Sequence, residues 1–422
     1  VKTAINIDDQ LDRSFRHSYS KIVSLLMAKY GAQQLELIEN AVMDAYYKAL
    51  KSWPLSVIPD NQQAWLYRAA HNSLIDEYRK RQKYDERELS DFSDGFDDNR
   101  ISEDDYVKDP ELKLLFLICH PQLSKEDQLA FMLKTMSGLG DKEISRALMV
   151  KQTTIKKRLM RARVNIRDQG LQFDWPEDHQ LPSRLVMVHT ALYSLFSEGF
   201  YSSHHEQWIR KDLCLEAMRL CKYLAELPLA DTDTYALLSL MCYHISRYES
   251  RLDDDNNVIL LKDQDRGKWD SFFINLGHHY LRKSAEQSNR KTKYQLEAFI
   301  SAQHCLAKSI EHTNWSLLKE LYQALYRIDH QDMVLLNLIV VHLHLGEVTE
   351  AKDLFDKLTA EDFLHNKTVY YMVGVEVYSK LKDQFQIELL IEKAIRSSST
   401  EKESNFLKSK LGSIKSDPMK EK

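Results

Sequence analysis

Chain breakers are scarce in this sequence. Its 422 residues include 11 Gly and 8 Pro, too few to supply the turns that an all-β chain of this length requires. Between them, apolar residues recur at the three- and four-residue spacing of an amphipathic helix. The expected fold class is therefore all-α. Hydrophobic residues make up 43% of the chain and charged residues 29%, the balance of an ordinary globular protein. The length is enough for several domains, each burying its own core.

No stretch approaches the roughly 18 consecutive apolar residues of a spanning helix. The opening VKTAINIDDQLDR also lacks the basic-then-apolar order of a signal peptide. A cytoplasmic protein with no membrane partner is expected. The five cysteines, Cys119, Cys214, Cys221, Cys242 and Cys305, are odd in number and contain no C-x-x-C pair. That argues against a disulfide framework and a thiolate zinc site, and leaves them as buried apolar residues.

Composition divides the chain. Residues 11–87 carry helical periodicity interrupted by SWPLSVIPDN, where Pro54 and Pro59 bracket a short loop. From Asp85 to Glu111 there are twelve acids and three basic residues, with few apolar groups to bury, so 88–108 reads as a flexible, self-repelling linker. Helical patterning resumes over 109–170. After the connector GLQFDWPEDHQLPSR, a helical domain is expected over 184–290, followed by repeat-like helical hairpins over 291–415. In the latter, Gly346 falls between two amphipathic helices and Ala351 and Phe355 lie on the inner face of the second, a partial tetratricopeptide pattern without a strict 34-residue period.

Although the whole chain has a net charge of −5, Lys151 to Arg167 holds seven Lys or Arg and no acid. A short helix, DKEISRAL, with Asp141 at its start as a possible cap, precedes this segment across a tight turn at Met149, Val150 and Lys151. The pair reads as a helix-turn-helix. At about 100° per residue, Ile155, Leu159, Ala162 and Ile166 share one face and can anchor the second helix. The remaining arc suits a DNA major groove, with Gln152, Thr153, Thr154, Lys156 and Lys157 near bases and Arg158, Arg161 and Arg163 on phosphates. A solvated cationic face is the blander alternative. A single helix-turn-helix gives a modest interface, so a second reader, a dimer or a larger assembly is required.

A candidate second reader lies upstream. Trp65, Ala69, Asn72, Asp76 and Arg79 are spaced 4, 3, 4 and 3 apart in AWLYRAAHNSLIDEYRKR, which places them on one stripe of one helix. A core stripe would be apolar. An aromatic beside amide, acidic and cationic groups, with Lys80 following, suits stacking on unpaired bases while the backbone is held electrostatically. The alternative makes Trp65 core and Asp76 and Arg79 a surface pair.

ENAVMDAYYKALKSWP, then AWLYRAAHNSLIDEYRKR, the acidic linker and LGDKEISRALMVKQTTIKKRLMRAR together resemble regions 2 and 4 of a sigma factor of the extracytoplasmic-function type. The resemblance implies binding to core RNA polymerase and promoter DNA. It implies that Asp44 and Ala45, with Glu39 upstream, dock on the clamp helices of the largest polymerase subunit. The Trp65–Arg79 helix would melt and read the −10 element, the Trp53–Gln63 loop would capture a flipped base, and the helix from Thr153 to Arg167 would read the −35 element. His71 stands where the family often has Arg.

LYSLFSEGFYSS, LCLEAMRLCKYLAEL and the DQDR-x-x-WD run from Asp263 to Asp270 resemble the helical extension of sigma factors with a tetratricopeptide-like C-terminus. This implies regulation in cis, with a regulatory protein or ligand at the C-terminal domain as a further candidate partner. Physically, Asp263, Asp265, Arg266 and Trp269 can pin the 252–270 excursion against Arg247 and Arg251.

Catalysis has little material. His204-His205, His278-His279 and the carboxylates Asp253, Asp254, Asp255, Asp263 and Asp265 occur without HExxH, a phosphate-cradling Gly-rich loop or G-x-S-x-G. DDDNN lacks the Gly and Glu of an EF-hand loop. No enzyme, no cofactor and no metal is expected. A stand-alone helix-turn-helix activator with a helical-repeat sensor domain is the competing function, but it leaves the Trp65–Arg79 stripe and its acidic tether unused.

Overall fold

The structure is a computed structural model. It describes residues 7–53, 58–82, 110–200, 211–251, 259–288, 291–363 and 367–398, apart from single loop positions, with isolated positions up to 411. The linker 88–108, Pro54, His204-His205 and Asp253 to Asp255 lie outside the described residues. The described residues are helical, as scarce Gly and Pro require, and contain no strand. They fall into two compact units, residues 1–230 and 231–422.

The first unit contains α1 (Ile7–Tyr30), α2 (Leu35–Ser52), α3 (Gln62–Gln82), α4 (Pro110–Ile118), α5 (Lys125–Thr135), α6 (Asp141–Ala147), α7 (Gln152–Asp168), α8 (Leu181–Phe200) and α9 (Lys211–Glu226). α1 packs on α2 and α3 and also on α4 and α5, with Ile22, Val23 and Leu26 fully buried. Side chains start several helices. Asn61 Oδ1 accepts the Ala64 N–H at 2.9 Å before α3, and Ser124 Oγ accepts the Asp127 N–H at 3.2 Å before α5. Each such cap contributes about 1 kcal/mol.

The boundary after Ala230 falls inside the 184–290 segment, so α8 and α9 share a unit with the preceding helices. α8 packs on α4, α5 and α9. Its buried face is Leu185, Val188, Leu192, Leu195 and Phe196, the i, i+3, i+4 pattern of a core helix. Phe116 of α4 meets Trp175 of the connector edge-on, with ring centroids 5.0 Å apart. Glu111 at the start of α4 is buried. It accepts from Ser20 Oγ of α1 at 2.5 Å and from Arg219 Nη2 of α9 at 3.0 Å. One carboxylate thus ties together three segments that are remote in sequence.

The second unit contains α10 (Thr232–Ser246), α11 (Ser271–Gln287), α12 (Lys293–Leu306), α13 (Trp315–Ile328), α14 (Asp332–His344), α15 (Val348–Phe355), α16 (Lys367–Leu381) and α17 (Gln384–Ser397). A capping box between Asp231 and Thr234 opens α10. Gly277 lets α11 approach α10 closely, because a Cβ there would lie 2.7 Å from the Tyr243 ring. Gly346, at φ 77°, turns the chain between α14 and α15. Ala351 and Phe355 pack into a core with Leu336, Ile339, Tyr370 and Val377. Neighbouring helices in this half pair as α13 with α14, α14 with α15 and α16 with α17.

Candidate nucleic-acid interface

α6 and α7 form a compact helical turn. Asp141 is the first residue of α6, inside the helix. The reach back is made by Glu143, whose Oε2 accepts the Gly140 N–H at 2.8 Å. Ser145 braces the turn: its Oγ donates to the Val150 carbonyl at 2.6 Å, and its own carbonyl accepts the Val150 N–H at 3.1 Å. α7 then begins at Gln152, preceded by Lys151, with no side-chain cap. An uncapped N-terminus leaves positive dipole and N–H groups at the end of a basic helix.

Ile155, Leu159, Ala162 and Ile166 are the buried residues of α7, the four positions that helical geometry places on one side. Gln152, Thr153, Lys156, Lys157 and Arg161 are exposed, and Thr154 and Arg158 are half-buried. Two cations expected on phosphates have protein partners. Arg161 Nη2 donates to Asp127 Oδ1 at 2.7 Å. Arg163 donates from Nε at 3.0 Å and from Nη2 at 2.6 Å to Glu39 Oε2.

α3 is anchored by buried Leu66, Ala70 and Leu74. Asn72, Asp76, Arg79 and Lys80 face solvent, while Ala69 and Trp65 are half-buried. Trp65 packs edge-on against buried Trp53, with centroids 5.5 Å apart. Lys80 lies 4.0 Å from Glu77. His71 is turned toward α1, where its Nε2 hydrogen-bonds Tyr30 Oη at 2.7 Å. Burial, and then the nearby Lys29 ammonium, push its pKa below the ordinary histidine value, so it brings no charge to this surface at neutral pH.

On α2, Asp44 is exposed, Ala45 is fully buried and Glu39 is buried against Arg163. Burial pushes the Glu39 carboxyl upward, and the Arg163 guanidinium opposes that shift. For Arg163 itself burial favours loss of charge, but Glu39 outweighs it and raises the guanidinium pKa. Around Asp44, Met43, Tyr47 and Leu50 are 47%, 58% and 48% exposed, and Lys51 Nζ sits 4.2 Å from the Tyr47 ring centre. Sequence reasoning missed this apolar strip. The available signal was an apolar spacing of four and three residues outside the stripe that packs α2.

In the second unit, Arg266 Nη1 donates to the carbonyls of His304 and Ala307 at 2.6 Å each, closing the end of α12. Trp269 is buried, with the Arg266 and Arg247 guanidiniums 5.0 and 5.8 Å from its ring centre. Asp265 turns back on its own loop, accepting the Gly267 N–H at 2.9 Å, and Asp263 is exposed. His278 Nδ1 is hydrogen-bonded to Tyr243 Oη at 2.6 Å, and His279 is exposed. Cys119, Cys214, Cys221 and Cys242 are buried and form no disulfide, and Cys305 is half-buried. Among the described residues no His, Cys, Asp and Glu cluster is suited to a metal, and no helix is long and apolar enough to cross a membrane.

An uncharacterized protein of Rhizobium meliloti (strain 1021) is 33% identical to the chain over 311 residues, covering 72% of this chain and 73% of the relative. The chain belongs to the same family. Residues 114–166, which run from α4 into α7, match the family described as sigma-70, region 4. Residues 184–285 match a family of unknown function, DUF6596. No solved structure matches the chain. The region 4 domain carries a DNA-binding helix-turn-helix and in general implies promoter DNA and RNA polymerase as partners. Sigma-factor domains are typically non-enzymatic, and no catalytic family matches.

Proposed function

We propose that the chain is an alternative sigma factor of the extracytoplasmic-function type that directs core RNA polymerase to a subset of promoters. In this reading α7 reads the −35 element, with Gln152, Thr153, Thr154, Lys156 and Lys157 at bases and Arg158 and Arg161 at phosphates. α3 melts and reads the −10 element through Trp65, Asn72, Asp76, Arg79 and Lys80. Asp44, flanked by Met43, Tyr47 and Leu50, meets the polymerase clamp helices. Ala45 is fully buried and packs α2 within its own unit, so Asp44 carries this contact. The tetratricopeptide-like C-terminal half regulates the factor in cis, and Arg266 and Trp269, with Asp263 and Asp265, shape its loop.

The observation that carries this reading is the solvent-facing polar stripe of α3, in the same compact unit as the region 4 helix-turn-helix. A free-standing activator has no use for it. The test is reconstitution: core polymerase, the purified chain and a genomic promoter library. Promoter-specific transcripts that depend on the chain are expected. Promoter binding that persists without polymerase, and no gain in transcription with it, would replace this reading with the activator.

A further inference from the structure

The Glu39–Arg163 pair joins α2 to α7 across 124 residues of sequence. Glu39 is 4% exposed, and both Arg163 donors converge on its Oε2 while Oε1 is buried without a hydrogen-bond partner. Around the pair the seam is loosely packed. A cleft of about 230 Å³ lies between Asn40 and Met43 on the α2 side and Lys156 and Leu159 on the α7 side. Lys134 and Asp141 close its edge, 3.6 Å from each other. A permanent core contact would be filled to close-packed density by apolar groups. Here α2 and α7 are joined by a charge pair beside a cleft that opens to solvent. A charge-assisted carboxylate–guanidinium contact is strong, yet Arg163 has an equivalent partner elsewhere: a phosphodiester can replace the carboxylate.

We propose that Glu39–Arg163 is a latch that closes the free protein by holding the DNA-reading helix against the polymerase-facing helix, and that DNA phosphate opens it by taking Arg163. The proposal rests on the reading of α2 and α7 given above. The closed form hides Glu39 from a protein partner and Arg163 from the DNA backbone. Neither contact forms fully until the two helices part. Exposed Lys156, Lys157, Gln152 and Thr153 remain available for a first, weak encounter with DNA.

The test uses the full chain without polymerase. Spin labels are placed at Leu50→Cys on α2 and Met160→Cys on α7, both exposed positions, in a chain whose own thiols are largely buried. The inter-label distance is measured for the otherwise unaltered chain, for Glu39→Gln, for Glu39→Arg, for Arg163→Glu and for the double reversal. Affinity for a duplex oligonucleotide is measured by fluorescence anisotropy on the unaltered chain and Glu39→Gln. Circular dichroism checks that each variant is helical, and the size-conserving Glu39→Gln decides the matter where a reversal does not fold.

A single, short distance is expected for the unaltered chain, a longer and broader one for the single variants, and the short one again for the double reversal. Glu39→Gln should bind DNA about tenfold more tightly, because a closed fraction of about 90% weakens apparent affinity by that factor. An unchanged distance in Glu39→Gln, or unchanged DNA affinity, would overturn the latch. The label measurement contains no polymerase, so a chain that closes as described but fails to support transcription would sink the sigma reading while leaving the latch standing.

Discussion

Cutting the chain after Gly170, where the region 4 helices end, removes more than a C-terminal extension. It strips α8 and α9 from the first unit. Glu111, buried on α4 in the intact chain, loses Arg219, and removing one partner of a buried pair costs up to about 3–5 kcal/mol. Phe116 loses the Trp175 edge, about 0.5–1.5 kcal/mol. The helices that α8 covers are exposed in addition. A loss of roughly 4–6 kcal/mol compares with a total stability of about 5–15 kcal/mol. It corresponds to a fall in Tm of about 8–24 °C for a unit of this size. A chain ending at Ala230 keeps these contacts. The assay is thermal unfolding of the two truncated chains followed by circular dichroism, with binding to a duplex oligonucleotide measured below both transitions. Melting of the 170 chain within about 2 °C of the 230 chain would show that α8 and α9 contribute nothing to the unit. Otherwise, lost transcription on cutting at 170 reports unfolding of the DNA reader, and only the cut at 230 tests regulation by the C-terminal half.

Burial, then nearby Arg247 and Arg266, lower His304 to about 3. A base held neutral in the fold contributes stability above its unfolded pKa of about 6.5, and that stability is lost as pH falls toward the folded value. Unfolding midpoints of the second unit should therefore fall from pH 7 to pH 4, and His304→Gln should flatten the slope; parallel slopes would remove His304 as the cause. Gly277→Ala should destabilise the same unit by about 1–3 kcal/mol in urea unfolding, since its Cβ meets the Tyr243 ring at 2.7 Å. Lys382, at φ 58°, holds a left-handed conformation between α16 and α17, so Lys382→Gly should raise stability by up to about 1 kcal/mol in the same assay. Arg158→Ala should weaken binding to every duplex alike and lower the salt slope by about one, whereas Gln152→Ala should change sequence preference. A uniform loss from Gln152→Ala would reverse that assignment.

Helix faces were legible in the sequence. The anchoring side of α7 follows from the 3.6-residue period. The period states that a face is buried and is silent about what buries it. Nothing local in the sequence marks α8 as packing on α4 and α5. Glu39 shows the same gap. Resemblance marks it as a partner contact, but its nearest counter-charge is 124 residues away, and no spacing rule connects positions so far apart. His71 illustrates the reverse case. The departure from Arg was visible in the sequence, and the Tyr30 hydroxyl on another helix gives the physical reason an imidazole fits there.

Ser20, Glu111 and Arg219 belong to one covalent chain, and this sets the equilibrium of their contact. Segments of one chain meet at effective concentrations of about millimolar, so a seam too weak to hold two separate molecules at cellular concentration can still be mostly formed within one. A competitor arriving at micromolar concentration must therefore bind roughly a thousandfold more tightly than the seam itself to part these helices. Lengthening the connector between α3 and α4 is a mild adjustment, since each doubling costs only about 0.6 kcal/mol. Connector length therefore acts as a fine control on how readily the unit opens, separable from every side chain that makes contact.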